Sequence, residues 1–454
     1  MSPPRPTTVP ALSNRPLERF LALFTDVRSG EAPRLLLLTA NVFLILTGYY
    51  VMKPVREALI LDQPGGAEIK SYAMAAQAAL LVAIVPLYGR LATMLPRRRL
   101  INLVTACFIL CLPLFYVLAQ AGVRVAVPFF LWIGIFSLMV IAQFWAYAND
   151  IHTPEEGKRL FAVIAFGASS GAVFGAWLSG HLIRALGVTP LLLVAAAILV
   201  ASLLVFNFID RHVRTRDQPV AGAPAEDVPI GDGNPFALVL SNRYLLLVAA
   251  AIFLLNWVNS AGEYILSSIV KHAADADVQA GRVAAGDEGR FIGTFYADYF
   301  QVVNIAGMVL QLFVVSRVIR YLGLPVAVCV LPLVALGSYA TAALIPSLAI
   351  VRWVKTAENA VDYSLQNTVK QMLFLPTTRE EKYKAKQVTD SFVVRAGDVL
   401  SSATVFIGTA VLALGTTQFA LINVVLVSAW LVVAVLVGRE FRRRTEAQAA
   451  KGAT

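Results

Sequence analysis

The chain has 454 residues, 58% of them hydrophobic and 15% charged, with a mean hydropathy of +0.70. That balance excludes a soluble protein built around one ordinary core and sets the class as a polytopic membrane protein. The net charge of +10 does not point to nucleic acid, because the Lys and Arg residues gather in short loops beside apolar runs, without interleaved aromatics.

In chain order, "MSPPRPTTVPALSNRPLERF" is polar and basic and lacks a signal-peptide core, so residues 1–33 are read as a retained cytoplasmic tail. Apolar windows of about 20 residues begin near Arg34, Ser71, Leu100, Val125, Leu160 and Val188. After a polar break they begin again near Tyr244, Phe291, Leu324, Ser347, Ala385 and Phe419. The spacing predicts an all-α fold of twelve transmembrane helices: a first six-helix half over 34–209, a cytoplasmic linker over 210–242, a second half over 243–438 and a basic tail over 439–454. The linker is rich in Pro, Gly and Asp and has no periodicity, as solvated connections do. Basic residues fill alternate loops, which places both termini in the cytoplasm. Ala and Arg richness suggests a bacterial plasma membrane.

The halves echo each other. "TPEEGKRLFAV" after helix 4 and "TTREEKYKAKQV" after helix 10 occupy matching places, as do "FLILTGYY" in helix 1 and "FLLNWVNS" in helix 7. Two parallel six-helix repeats are the organisation of major facilitator-like transporters. The loop "GRLATMLPRRR" resembles that superfamily's cytoplasmic motif, with Thr93 and Pro96 standing where Asp and Gly are usual. In helix 5, Gly167, Gly171 and Gly175 recur at four-residue spacing and predict close packing against another helix. Cys107, Cys111 and Cys329 have no local Cys or His partner and read as packing residues.

The informative residues are charges inside spans, each costing about 2.5 to 3.5 kcal/mol near a bilayer centre. Helix 1 carries Lys53, Arg56 and Glu57; helix 7 carries Glu263; helix 10 carries Lys355, Glu358 and Asp362; helix 11 carries Asp390, Arg395 and Asp398. At spacings of three and four, the helix 10 charges share one face. Groups at this depth face a bundle interior or a watery cavity and pair with one another. Glu263 falls where Lys53 falls in the repeat register, so a central ion-lined cavity is expected. The competing reading makes them structural ion pairs or snorkelling side chains. Pro54 removes a helix hydrogen bond beside Lys53 and is expected to open the backbone there. Tyr49, Tyr50, Trp145, Tyr147 and Asn149 could stack on a planar ligand or form an interfacial belt.

From about Asn41 to Arg439 the chain resembles the bacterial and plastid ATP/ADP translocases, the non-mitochondrial nucleotide carriers. The resemblance lies in "YYVMKPVREALI", "GGAEIKSY", "FWAYANDIHTPEEGKRLFAVIAFGASSG" and "DYSLQNTVKQMLFLPTTREEKYKAKQVTDSFVVRAGD", in that order. It implies a facilitator-type fold and, for the best-known members, exchange of ATP for ADP with phosphate. Arg56 keeps the positive charge of a substrate-relevant Lys of that family, and Glu263 matches an important Glu. Two family charges have no counterpart: an acidic position of helix 4 falls near Ile133, and a basic position of helix 11 falls near Asp398. Those departures weaken binding of a polyphosphate.

The leading reading is a secondary transporter, an ATP:ADP antiporter or nucleotide exchanger working by alternating access. Lys53, Arg56, Lys355, Arg395, Tyr50 and Asn149 would meet a small anionic solute, with Glu263, Glu358 and Asp362 as counter-ions or proton carriers. Glu57, Asp390 and Asp398 would serve coupling or gating. Alternatives are a proton-coupled transporter of another organic anion, and a non-transporting membrane partner or sensor protein that kept the fold. No HExxH, GxSxG or CxxC occurs, and His152, His181, His212 and His272 are scattered, so an enzyme is not expected. Without a Walker sequence ATP would be cargo. No cofactor or metal is expected; the partners are the solute and the lipid bilayer, with no nucleic acid, and the chain is expected to act as a monomer.

Overall fold

The computed structural model describes residues 31–216 and 234–452. The N-terminal tail up to residue 30 and linker residues 217–233 lie outside the described residues. The first half comprises α1 (Ala32–Leu61), α2 (Gly66–Met94), α3 (Arg97–Gln120), α4 (Ala126–Asp150), α5 (Pro154–Leu186) and α6 (Leu191–Arg216). A short helix, Pro235–Ser241, leads into α7 (Arg243–Gln279), α8 (Glu288–Leu322), α9 (Leu324–Leu344), α10 (residues 348–372), α11 (residues 379–411) and α12 (Thr416–Gly452). No strand occurs among the described residues.

Eleven of these helices are long and apolar enough to cross a membrane. The exception is α10, which carries Lys355, Glu358 and Asp362 and is interrupted by a π turn at Asp362–Gln366. One buried cluster lies within the first half, and a second joins the second half to first-half residues such as Tyr50, Phe130 and Ala176; Leu87, Leu110, Val117, Leu204 and Val425 are left exposed on outer faces. In water such a surface would be untenable; in hydrocarbon it costs nothing.

The repeated motif becomes a repeated structure. Thr153 begins α5 and Thr378 begins α11, each with a capping box: the threonine hydroxyl accepts from the backbone N–H of Glu156 or Glu381, and that Glu accepts from the threonine N–H. Each glutamate also ties down the start of its half. Arg34 of α1 donates to Glu156 at 3.0 Å, and Asn242, the cap of α7, donates to Glu381 at 2.6 Å.

The helix 5 glycines pack as expected. A Cβ added at Gly171 would overlap the Phe43 carbonyl oxygen, and one at Gly175 would lie 2.5 Å from that of Thr47, so α1 and α5 touch backbone to backbone. Pro54 departs from expectation, because α1 runs unbroken as an α-helix from Ala32 to Leu61. Four π turns fall elsewhere: Asp362–Gln366 in α10 and Val388–Val393 in α11 lie beside the charges of those helices, whereas Leu310–Val314 in α8 and Ile407–Val411 in α11 lie in apolar sequence. Widened turns of this kind are frequent at functional sites.

Candidate functional site

The site begins with a turn. Gly65 has φ of 68°, and a Cβ on Gly66 would lie 2.5 Å from the Ile60 carbonyl oxygen. Only glycine permits so sharp a return, and it lays the first turns of α2 along the last turns of α1. Lys70 is thereby driven into the bundle.

There its ammonium stands 2.8 Å from Glu57 of α1 and 3.2 Å from Glu263 of α7, and donates to the Ser267 hydroxyl at 2.9 Å. Arg56 donates to the other Glu57 oxygen, so that fully buried carboxylate lies between two cations. Sequence reasoning missed Lys70, although "GGAEIKSY" marks both the tight turn and the charge that follows it into a span.

Lys53 completes the cluster in a different way. It is buried and forms no ion pair among the described residues; its Nζ lies over the rings of Phe300 at 3.9 Å, Tyr50 at 5.2 Å and Tyr363 at 5.8 Å. Aromatic faces stabilise an ammonium by about 0.5–2 kcal/mol but leave its charge uncancelled. Lys53, Arg56 and Lys70 against Glu57 and Glu263 leave one positive charge in excess at the seam between the halves.

The other side of α7 holds a second buried pair. Lys355 donates to Glu358 at 2.8 Å, and the Tyr339 hydroxyl donates to the same oxygen at 2.7 Å. A Cβ on Gly262 would overlap the Tyr339 oxygen and lie 2.9 Å from Lys355 Nζ, so the glycine before Glu263 makes room for this pair. Tyr299 of α8 joins it, donating to the Lys355 carbonyl at 3.3 Å and accepting from Asn359 at 2.8 Å.

Other candidates lie apart. Asp398 accepts from Ser260 at 2.7 Å and from Arg395 at 3.2 Å. Asp390 is exposed and pairs with Lys370 at 2.8 Å. Asn149 is exposed at the end of α4, donating to the Trp145 carbonyl and away from the charged seam. Ile133 is fully buried in an aromatic layer that contains Phe129 and Phe136.

The halves are held together at the end away from the described termini. There Lys70 meets Glu263, Tyr264 donates to Glu68 at 3.1 Å, Ser402 donates to the Ser71 carbonyl at 2.6 Å, and Arg184 faces Asp298 at 3.4 Å. At the opposite end Arg34–Glu156, Arg159–Glu31 and Arg98–Asp210 stay within the first half, and Arg444–Glu381 within the second. The two halves are thus joined at one end across a buried charged layer.

A twelve-helix bundle of two repeats meeting at an ionic seam defines a membrane solute carrier. The model of the Major Facilitator Superfamily matches residues 38–357, and the chain belongs to that superfamily, as a secondary transporter of the major facilitator type. It is similar to ADP,ATP carrier protein 1 of Chlamydia muridarum, 21% identical over 85% of this chain and 83% of that one. ADP,ATP carrier protein 2 of Chlamydia trachomatis is 22% identical over 68% of this chain and 64% of its own length. The fold is similar to the nucleoside transporter NupG, with TM-score 0.60, 12% identity and coverage of 91% of this chain and 99% of that one. It is also similar to a bacterial homologue of the lysosomal transporter Spinster, with TM-score 0.61, 14% identity and coverage of 92% and 99%.

Proposed function

We propose that this protein exchanges anionic solutes, with ATP and ADP as the leading pair, by alternating access through the seam between its halves. The observation that carries this reading is the uncancelled positive charge of Lys53 beside Arg56 and Lys70, buried where both halves contribute groups. An anion entering there meets the charge of Lys53 and competes with Glu57 and Glu263 for Arg56 and Lys70. Strong attraction in a low-dielectric layer offsets the cost of stripping its hydration. Loosening the Lys70–Glu263 contact frees the joined end of the halves and lets the solute leave on the other side. The similarity to the ADP,ATP carriers supports nucleotides. The protein would work in the plasma membrane of a bacterium with both termini in the cytoplasm.

A second reading, exchange of a smaller organic anion, is favoured by Ile133 and Asp398. The first is packed among hydrocarbon and the second is held by Ser260 and Arg395, so neither adds positive charge for a polyphosphate.

Uptake of labelled ATP into proteoliposomes loaded with ADP tests the proposal, with Arg56→Ala and Glu263→Ala as controls. Exchange by the native protein that both variants lose is the expected result. No nucleotide exchange, with uptake of another anion that the same variants abolish, selects the second reading. Function in cells that survives both substitutions overturns transport through this seam.

A further inference from the structure

Behind the ionic seam, Glu358 uses only one of its oxygens. Oε1 accepts from Lys355 and Tyr339, whereas Oε2 is buried without a hydrogen-bond partner. A buried carboxylate oxygen left bare carries an uncompensated desolvation penalty, so something should fill its place. Glu358 lines a small cavity together with Asp362, Asn259 and Trp430, with room of about 10 Å³. That is the space of one water-sized particle. Asp362 lies one turn beyond Glu358 and opens the π turn of α10, and its carboxylate forms no ion pair or hydrogen bond among the described residues.

The charges do not balance. Lys355 offers one positive charge to two carboxylates, Lys370 is engaged by Asp390, and α12 carries no charged residue before Arg439. We infer that this cavity binds one monovalent cation, taken up as a proton or as Na+, between Glu358 Oε2, the Asp362 carboxylate and the Asn259 amide oxygen. Oxygen-only ligands suit a hard cation, and the space excludes one that keeps its water shell. This inference deepens the solute reading above by giving the exchanger a coupling ion.

Lys355, Glu358 and Lys370 of α10 act electrostatically on Asp362, as does the neighbouring Tyr363. Tyr339 of α9 reaches Glu358 directly, and Tyr299 of α8 reaches the Lys355 backbone. Glu263 of α7 follows Gly262, the residue against which Lys355 packs. A cation on Glu358 loosens its hold on Lys355, which then turns toward Glu263 and competes with Lys70. The cation site and the anion seam are thereby linked through one lysine.

Trp430, in the cavity wall, reports occupancy without any solute. The full chain in lipid nanodiscs would be titrated with NaCl against choline chloride at constant ionic strength, and separately with pH in choline alone. Trp430→Phe identifies the signal, and Asp362→Glu serves as the charge-preserving variant. A saturable fluorescence change in either arm, lost in Asp362→Asn and kept in Asp362→Glu, is expected; the responding arm identifies Na+ or the proton. A native protein whose Trp430 signal responds in neither arm overturns the site, as does a response that Asp362→Asn leaves unchanged. Because no solute is present, that failure leaves nucleotide exchange standing, and failed exchange leaves the cation site standing.

Discussion

Lys70 of α2 and Glu263 of α7 meet at 3.2 Å across the boundary between the two halves. The same ammonium lies 2.8 Å from Glu57 of α1, so one side chain from a tight turn holds both the first half to itself and the first half to the second.

Lys70→Met leaves Glu263 without this partner and Glu57 with Arg56 alone. Removing one member of a buried ion cluster costs about 3–5 kcal/mol, and the melting temperature in detergent should fall markedly, with exchange lost. Lys70→Arg keeps the charge and should recover most of the stability. An unchanged melting temperature in Lys70→Met would show that the bridge contributes nothing.

Lys53 has no carboxylate to lose, so Lys53→Met should leave thermal stability nearly intact while weakening the hold on the solute. Loss of a charged hydrogen bond of about 1.5–3 kcal/mol corresponds to roughly a tenfold or greater rise in KM. A KM equal to that of the native protein would remove Lys53 from the anion site.

Gly262→Ala drives a methyl group into the Tyr339 oxygen and toward Lys355 Nζ. Overpacking of this kind costs about 1–3 kcal/mol. Gly337→Ala, where a Cβ meets nothing within 4 Å, is the control and should be neutral or slightly stabilising. Equal melting temperatures for the two variants would contradict the close approach.

His152 lies outside the spans, between α4 and α5. Burial pushes its proton affinity below the ordinary imidazole value, with Nδ1–H donating to the Ala148 carbonyl at 2.8 Å and Nε2 buried without a partner. The depressed value means that the unfolded chain takes up the proton first. Stability is therefore complete above the unfolded value of about 6.5 and is lost as pH falls below it. Lowering pH from about 7.5 to about 5.5 should reduce the melting temperature of the native protein more than that of His152→Gln.

Some of the site was legible because its residue types are expensive in lipid. Lys355 and Glu358, three residues apart on one helix, pair as their spacing implies. Lys70 was not legible, because its role depends on a glycine turn that rotates α2 against α1 and on a helix 193 residues away. The place of Asn149 was not legible either: an amide beside Trp145 and Tyr147 reads as a ligand platform, and the structure puts it exposed where α4 ends. Pro54 suggested a broken helix, but α1 continues as an α-helix through it.

By itself the sequence determined the class, the spans, the repeat and the presence of costly charges, since hydropathy, capping motifs and insertion cost act over a few residues at a time. Only the tertiary structure decided which charges cancel. Ion pairing depends on distances of about 3–4 Å between helices far apart in the chain, so the uncancelled Lys53, the bridging Lys70 and the bare oxygen of Glu358 emerge only once the two halves are packed.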